Sequence, residues 1–276
     1  MELTADALEA LITAALAEDI GGGDLTTDGI VPASARCRAV LVLEESGVVC
    51  GVPAAASVFT ALDPGVAVEV LADEGARVAL STVVARLDGP ARAVLTGERT
   101  ALNLLGRLCG IATLTARYVD LVEGTGTTIL DTRKTTPGLR VVEKYAVSCG
   151  GGTNHRMGLH DGILIKENHL RIAGGIRGAL AALGAREGFT VEVETETLDE
   201  VAEALEAGVD RILLDNMTLE QVAEAVELAG GRVPLEVSGG ISLATVRSYA
   251  ETGVEFISVG ALTHSARSLD VSLELE

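Results

Sequence analysis

A chain of 276 residues with 48% hydrophobic side chains can bury a sizeable core, and its length suits an α/β barrel with or without a small partner domain. Forty acidic residues against 21 basic ones leave a formal charge of −19, and the only aromatics are three Phe and three Tyr. That balance argues against nucleic acid or anionic lipid as a partner, so any anionic ligand must be caught by a local cluster of cations.

The chain opens on a helical pattern over residues 4–18, where Leu8, Leu11, Ile12, Ala15 and Leu16 share one face and Thr4 is placed to cap. A loop, GGGDLTTDG, leads to the β-like runs ARCRAVLVLEE, AVEVLA and VVARLDG, with a helix near 52–62 between the first two. These elements read as a small α+β domain over residues 1–112. A long helix follows from about 93 to 122. Arg107 interrupts its most apolar stretch, and no segment reaches the ~20 apolar residues of a membrane span. The amino-terminal segment is acidic rather than basic, so a soluble cytoplasmic protein is expected. Cys37, Cys50, Cys109 and Cys149 are far apart in sequence and show no CxxC or Cys/His spacing, which predicts free thiols rather than a zinc site or disulfide framework.

From residue 127 the rhythm changes. The apolar runs TTILD, GILIK, FTVEVE, DRILLD, PLEVS and EFISV alternate with amphipathic helical segments, one of them at 138–148. Such alternation builds parallel βα units, and six of them over residues 113–267 predict an incomplete six-stranded α/β barrel. The tail, 268–276, returns to period two through Leu269, Val271, Leu273 and Leu275, as a strand rejoining the front domain would.

Strand ends of a parallel barrel converge on one rim, where ligand sites form. Here they deliver Asp131 with Arg133 and Lys134, then Lys166, Glu194, Asp215, Ser238 with Gly239 and Gly240, and finally Gly260. The chain has 18 arginines but only three lysines, Lys134, Lys144 and Lys166, all within 33 residues. Residues 133–171 carry seven basic and three acidic side chains, a local charge of +4, against −23 for the rest. A positive pocket in a negative protein predicts a small substrate with two or more carboxylates or phosphates. His155, followed directly by Arg156, is placed to join it; His160 and His169 read equally well as loop or cap residues, and Lys144 as a structural residue of its helix. Glycines after the last two strands allow close main-chain approach to a phosphate, with a following helix terminus to help. Glu194 and Asp215 suit magnesium, sugar hydroxyls or an ion-pair network with the lysines, and Glu192 shares the face of Glu194 deeper along its strand.

The segments ERTALNLLGRLCGIATLT, DTRKTTPGLR, EKYAVSCGGGTNHRMGLHDGILIKENH, VEVET, LLDN, VSGGI and SVGALTHS together resemble the quinolinate phosphoribosyltransferase family. The resemblance implies a cytoplasmic, magnesium-dependent homodimer with each active site shared between subunits. It also implies transfer of phosphoribosyl from phosphoribosyl pyrophosphate to quinolinate with decarboxylation, giving nicotinate mononucleotide. By that resemblance Arg133, His155, Arg156 and Lys166, with Thr132 beside them and Arg99 from the partner subunit, would bind quinolinate. Lys134, Glu194 and Asp215 would handle the phosphoribosyl donor and its metal, while Ser238, Gly239, Gly240, Gly260 and Ala261 would hold the ribose phosphate. His264 would have a lesser, loop-ordering role. Cys109 stands where the family usually carries serine, and a packing effect rather than lost activity is expected.

Overall fold

The computed structural model describes residues 3–185 and 187–276. In chain order the elements are α1 (Ala5–Ile20), α2 (Leu25–Ile30), β1 (Arg36–Leu43), β2 (Gly47–Val48), α3 (Val52–Leu62), β3 (Ala67–Val70), β4 (Arg77–Val78), β5 (Thr82–Pro90) and α4 (Ala91–Leu121). They continue with β6 (Thr128–Leu130), α5 (Arg140–Cys149), β7 (Ile163–Ile165), α6 (Glu167–Ala173), α7 (Ile176–Leu183), β8 (Val191–Thr195), α8 (Leu198–Ala207) and β9 (Arg211–Asp215). The chain closes with α9 (Leu219–Ala229), β10 (Leu235–Ser238), α10 (Val246–Ala250), β11 (Phe256–Ser258), α11 (Ala261–His264) and β12 (Val271–Leu275).

Two compact units emerge. The first holds residues 1–116, 135–151 and 262–276; the second holds 117–134 and 152–261. The expected cut, 1–112 against 113–267, therefore differs in three places: the first unit also takes 113–116, 262–267 and segment 135–151, all of them expected inside the barrel domain. A buried ion pair ties segment 135–151 there. Glu143 of α5 is fully buried and receives Arg107 of α4 through Nη2 at 2.7 Å and Nε at 3.2 Å, while Thr136 donates to both of its oxygens. Arg107 also donates to the carbonyls of Thr263 and, at 2.7 Å, of Ala266.

The first unit is an α+β body around a four-stranded antiparallel sheet in the order β12-β1-β5-β3. Its apolar core includes Leu41, Leu43, Phe59, Leu87, Leu105 and Leu108, all essentially inaccessible. Thr4 caps α1 by accepting from the Ala7 N–H at 3.4 Å. Helix α2 was not legible as a helix within its loop; Asp24 caps it, accepting from the Thr27 N–H at 2.9 Å and from the Thr96 hydroxyl at 2.9 Å.

The second unit is a parallel sheet in the order β6-β11-β10-β9-β8-β7, an open barrel whose first strand neighbours its last. On its other side β6 makes an isolated parallel bridge, Leu130 to Thr153, to the segment that precedes β7. The helices start where the sequence supplies caps. Thr197 with Glu200 opens α8 and Thr218 with Gln221 opens α9, each as a reciprocal capping box. Strand alternation then fixes which residues enter the barrel: Leu164 and Lys166, Glu192 and Glu194, Arg211, Leu213 and Asp215, Glu236 and Ser238, Phe256 and Ser258. Among the described residues no helix is long and apolar enough to cross a membrane.

Candidate active site

Those inward positions surround a cavity of about 370 Å³ at the carboxyl ends of the strands. Thr132, Arg133 and Lys134 line it from the end of β6, His155 and Arg156 from the segment before β7, Leu164 and Lys166 from β7, and Glu194 from β8. Leu213 and Asp215 of β9, Glu236 and Ser238 of β10, and Ser258 of β11 complete the wall. Nine of the sequence-predicted residues thus share one cavity. Gly239, Gly240, Gly260 and Ala261 follow its wall strands in the chain but do not line it, and Arg99 is an exposed residue of α4 in the first unit.

The cations are only partly satisfied. Arg133 Nε is buried without a partner, and Arg156 donates from Nη1 to the Gly162 carbonyl at 3.1 Å. Burial, and then the like charge of Arg133, pull the Arg156 pKa below its ordinary value. Two guanidiniums that repel each other beside a cavity form a site that a dianion would relieve. Lys166 donates through Nζ to Glu194 at 2.6 Å, and the Glu167 N–H reaches the same carboxylate at 3.3 Å. Lys166 also begins α6, where its N–H donates to His169 Nδ1 at 2.9 Å, so His169 is a cap residue. Burial, then Glu194, push the Asp215 carboxyl upward, partly offset by Lys166 and Lys134. Two carboxylates on adjacent strand ends, Glu194 and Asp215, are suited to sharing a hard divalent cation.

Below this rim lies a polar barrel interior. His155 Nε2 lies 3.0 Å from Glu192 Oε2 and 3.5 Å from Glu236 Oε2, while Arg211 Nη1 donates to Glu236 at 3.3 Å and its guanidinium sits 4.1 Å above the Phe256 ring. The main-chain N–H of Arg156 donates to His155 Nδ1 at 2.7 Å, which puts the neutral ring's proton on Nε2, facing the carboxylates. Burial disfavours the cation, but Glu192 and Glu236 outweigh it and raise the His155 pKa to about 9. The Arg156 N–H works against that second proton. Burial also raises Glu192; in Glu236 the contacts to His155, Ser258 and Arg211 overcome burial and lower it. Glu192 Oε1, Glu236 Oε1 and Arg211 Nε remain without partners.

Sequence reasoning missed Glu236 and Ser258. The signal was present for Glu236, since it precedes Ser238 by the same two-residue step that relates Glu192 to Glu194; the short β11 gave Ser258 no comparable partner.

The glycine loop after β10 is held by sterics. Gly239 has φ +98, and a Cβ there would fall 2.2 Å from Asn216 Oδ1, so the turn after β10 accepts only glycine against the turn after β9. Asn216 itself donates to Asp215 at 2.7 Å. The helix expected directly after Gly240 begins only at Val246, because residues 241–245 form turns in which Ser242 and Thr245 hydrogen-bond each other. Any main-chain phosphate contact here belongs to the loop amides rather than a helix terminus. At β11 the four-residue α11 does start at Ala261, directly after Gly260. His264 is exposed, with Nδ1 2.6 Å from the Ser265 hydroxyl, and Lys144 is fully buried in α5.

Comparison with known proteins gives this geometry a family. Residues 24–109 match the model of the quinolinate phosphoribosyl transferase N-terminal domain and residues 111–274 that of the C-terminal domain. A probable nicotinate-nucleotide pyrophosphorylase (carboxylating) of Synechocystis sp. is 46% identical over 265 residues, covering 94% of this chain and 90% of the relative. Its counterpart in Bacillus subtilis is 42% identical over 270 residues, covering 97% and 93%. The solved structure of the nicotinate-nucleotide pyrophosphorylase from Francisella tularensis superposes with a TM-score of 0.95 at 41% identity, covering 100% of this chain and 98% of that one. With both domains matched and a cationic, carboxylate-lined cavity at the barrel rim, the chain belongs to the quinolinate phosphoribosyltransferase family, the decarboxylating glycosyltransferases of NAD biosynthesis.

Proposed function

We propose that the barrel cavity binds quinolinate and phosphoribosyl pyrophosphate side by side and joins them with loss of carbon dioxide. The observation that carries the assignment is a single wall holding Arg133, whose buried Nε has no partner, and Arg156, set against the like charge of Arg133, next to the carboxylates Glu194 and Asp215. Arg133 Nε, Arg156, His155, Lys166 and the Thr132 hydroxyl hold the two carboxylates of the pyridine substrate and so orient its ring nitrogen. Lys134 meets the negative charge of the donor, and the loops of Ser238, Gly239, Gly240, Gly260 and Ala261 hold its ribose phosphate.

The nitrogen lone pair forms the new bond to the anomeric carbon as the pyrophosphate oxygen departs with its electrons. Glu194 and Asp215 face the positive charge that develops on the sugar. The adjacent carboxylate then leaves as carbon dioxide, its bonding pair stays on the ring carbon beside the quaternised nitrogen, and that carbon takes a proton from water to give nicotinate mononucleotide. Positioning and electrostatics are the protein's share, with no covalent nucleophile. Glu194 and Asp215 are also the residues that would hold magnesium, since both line the cavity and the Glu194 charge helps to push the Asp215 carboxyl upward. When bound, magnesium neutralises the diphosphate leaving group.

We further place the chain in a homodimer in which Arg99 completes the partner's quinolinate site. The support is local. Arg92 and Thr96 of α4 bond Asp28 within α2 and its cap Asp24; Arg99 lies about one turn further on, exposed; and Leu25 and Ile30 of α2 are 92% and 76% exposed. An exposed arginine near bare apolar side chains suits an interface between copies. Four free cysteines fit a reducing, cytoplasmic location.

The test is to supply quinolinate, phosphoribosyl pyrophosphate and magnesium and to follow nicotinate mononucleotide and carbon dioxide, expected in equal amounts. Neutral replacement of Arg133, Arg156 or Lys166 should raise KM for quinolinate or abolish turnover. Full activity in all three variants would refute the assignment.

A further inference from the structure

Three of the four cysteines, remote in sequence, meet in the first unit. Cys50 is completely buried just before α3, Cys149 is half-buried at the end of α5, and Cys109 is buried on α4. The Sγ atoms of Cys50 and Cys149 and a carboxylate oxygen of Glu74 lie within 4.8 Å of one another.

We propose that Cys50 and Cys149 are a thiol pair that closes to a reversible disulfide, with Cys149 as the attacking sulfur and Cys50 as the resolving one. Neighbouring residues select this pair. Cys109 is engaged at both ends with the Cys50 main chain: the Cys50 N–H donates to its sulfur at 3.2 Å, and its thiol donates to the Cys50 carbonyl at 3.2 Å. The Cys50 side chain is left to face Cys149. Glu74 accepts the N–H groups of Gly51 and Val52 at 2.8 and 3.0 Å, one with each oxygen, so the carboxylate serves the start of α3 rather than a metal.

The backbone around the pair is pinned. Gly75 N–H donates to the Val49 carbonyl at 2.8 Å, and Val49 N–H to the Ala76 carbonyl at 2.9 Å. Gly75, at φ +82, lets the Cys149 carbonyl come so close that a Cβ would sit 3.2 Å from it. Reactivity divides the same way. Hydrogen bonds from Cys50 and Tyr145 outweigh burial to lower the Cys149 thiol pKa, while burial raises that of Cys50 and takes Cys109 to about 12.

A small disulfide such as oxidised glutathione supplies the oxidant. Cys149 thiolate attacks one of its sulfurs, the S–S bond breaks, and one glutathione thiolate leaves. Cys50 then gives up its proton and attacks Cys149 Sγ, expelling the second glutathione. Two protein thiols are oxidised as one glutathione disulfide is reduced to two thiols.

The experiment treats the folded full chain with graded oxidised glutathione, then unfolds it in denaturant, alkylates the remaining thiols and maps linked peptides by mass spectrometry without reduction. One Cys50–Cys149 link per chain, with a 2 Da loss and alkylation only at Cys37 and Cys109, is expected. Cys50→Ser should stop at glutathione on Cys149, and Cys149→Ser should give no link. The proposal is overturned if Cys149 stays alkylatable, if glutathione remains on it in the unsubstituted chain, or if Cys109 takes the place of either partner. The unsubstituted chain decides by itself should either variant fail to fold.

Discussion

A buried ion cluster in each unit makes a contrast. In the first, Glu143 and Arg107 are saturated: the carboxylate has donors on both oxygens and the guanidinium reaches two further carbonyls. In the second, Arg133, Glu192, Glu236 and Arg211 each keep one polar atom buried without a partner. A saturated charge pair holds segments together and has nothing left to offer a ligand. Unsatisfied groups cost about 1–3 kcal/mol each unless something meets them, so a cluster of them at a cavity marks where binding energy is held in reserve.

The sharpest way to break that contrast is to open the saturated pair. Glu143→Ala leaves Arg107 uncompensated and should lower the unfolding free energy by about 3–5 kcal/mol in urea titrations followed by circular dichroism. A loss below about 1 kcal/mol would mean that the pair does not anchor segment 135–151.

Arg133→Ala should leave stability nearly unchanged and lower kcat/KM for quinolinate roughly a hundredfold, the worth of about 2–3 kcal/mol of charge-assisted hydrogen bonding. Steady-state kinetics would contradict the reading if quinolinate KM and kcat both stayed within twofold.

A smaller effect tests the barrel interior. Because Glu192 and Glu236 raise His155 from its ordinary 6.5 to about 9, the stabilisation of its cation is complete below pH 6.5 and is lost as pH rises through about 9. Glu236→Gln removes one of these carboxylates, so the alkaline limb of kcat/KM should move to lower pH and activity at pH 8 should fall about tenfold. An unmoved limb, or an unmoved His155 resonance in an NMR titration, would detach His155 from the acids beneath it.

The smallest expected effect is at Cys109. Serine can accept the Cys50 N–H and donate to the Cys50 carbonyl as the thiol does, so Cys109→Ser should change turnover less than twofold and stability by about 0.5 kcal/mol or less. A large gain in activity would show that the thiol constrains the site.

What could be read from sequence follows the same division. Six strand runs and the polar residues at their ends located Arg133, Lys134, Lys166, Glu194 and Asp215, because a parallel barrel orders its strand ends by chain position alone. Period-two counting placed Glu192 under Glu194, and the same count at Glu236 was available but unused. Segment 135–151 could not be placed this way, since its attachment depends on the Glu143 to Arg107 pair, a contact 36 residues apart with no periodic signature. The thiol cluster was hidden for the same reason: Cys50, Cys109 and Cys149 come from a loop and two separate helices. The short α2 depends on a single cap at Asp24 within a glycine-rich stretch.

The most direct test of the central claim, that the crowded cations of the barrel cavity, Arg133 and Arg156, are built for a dianion, is calorimetric titration with quinolinate and with its monocarboxylate analogue nicotinate. Quinolinate should bind roughly a hundredfold more tightly, and Arg133→Ala should erase most of that difference. Equal affinity for the two acids, or a preference that survives in Arg133→Ala, would contradict it.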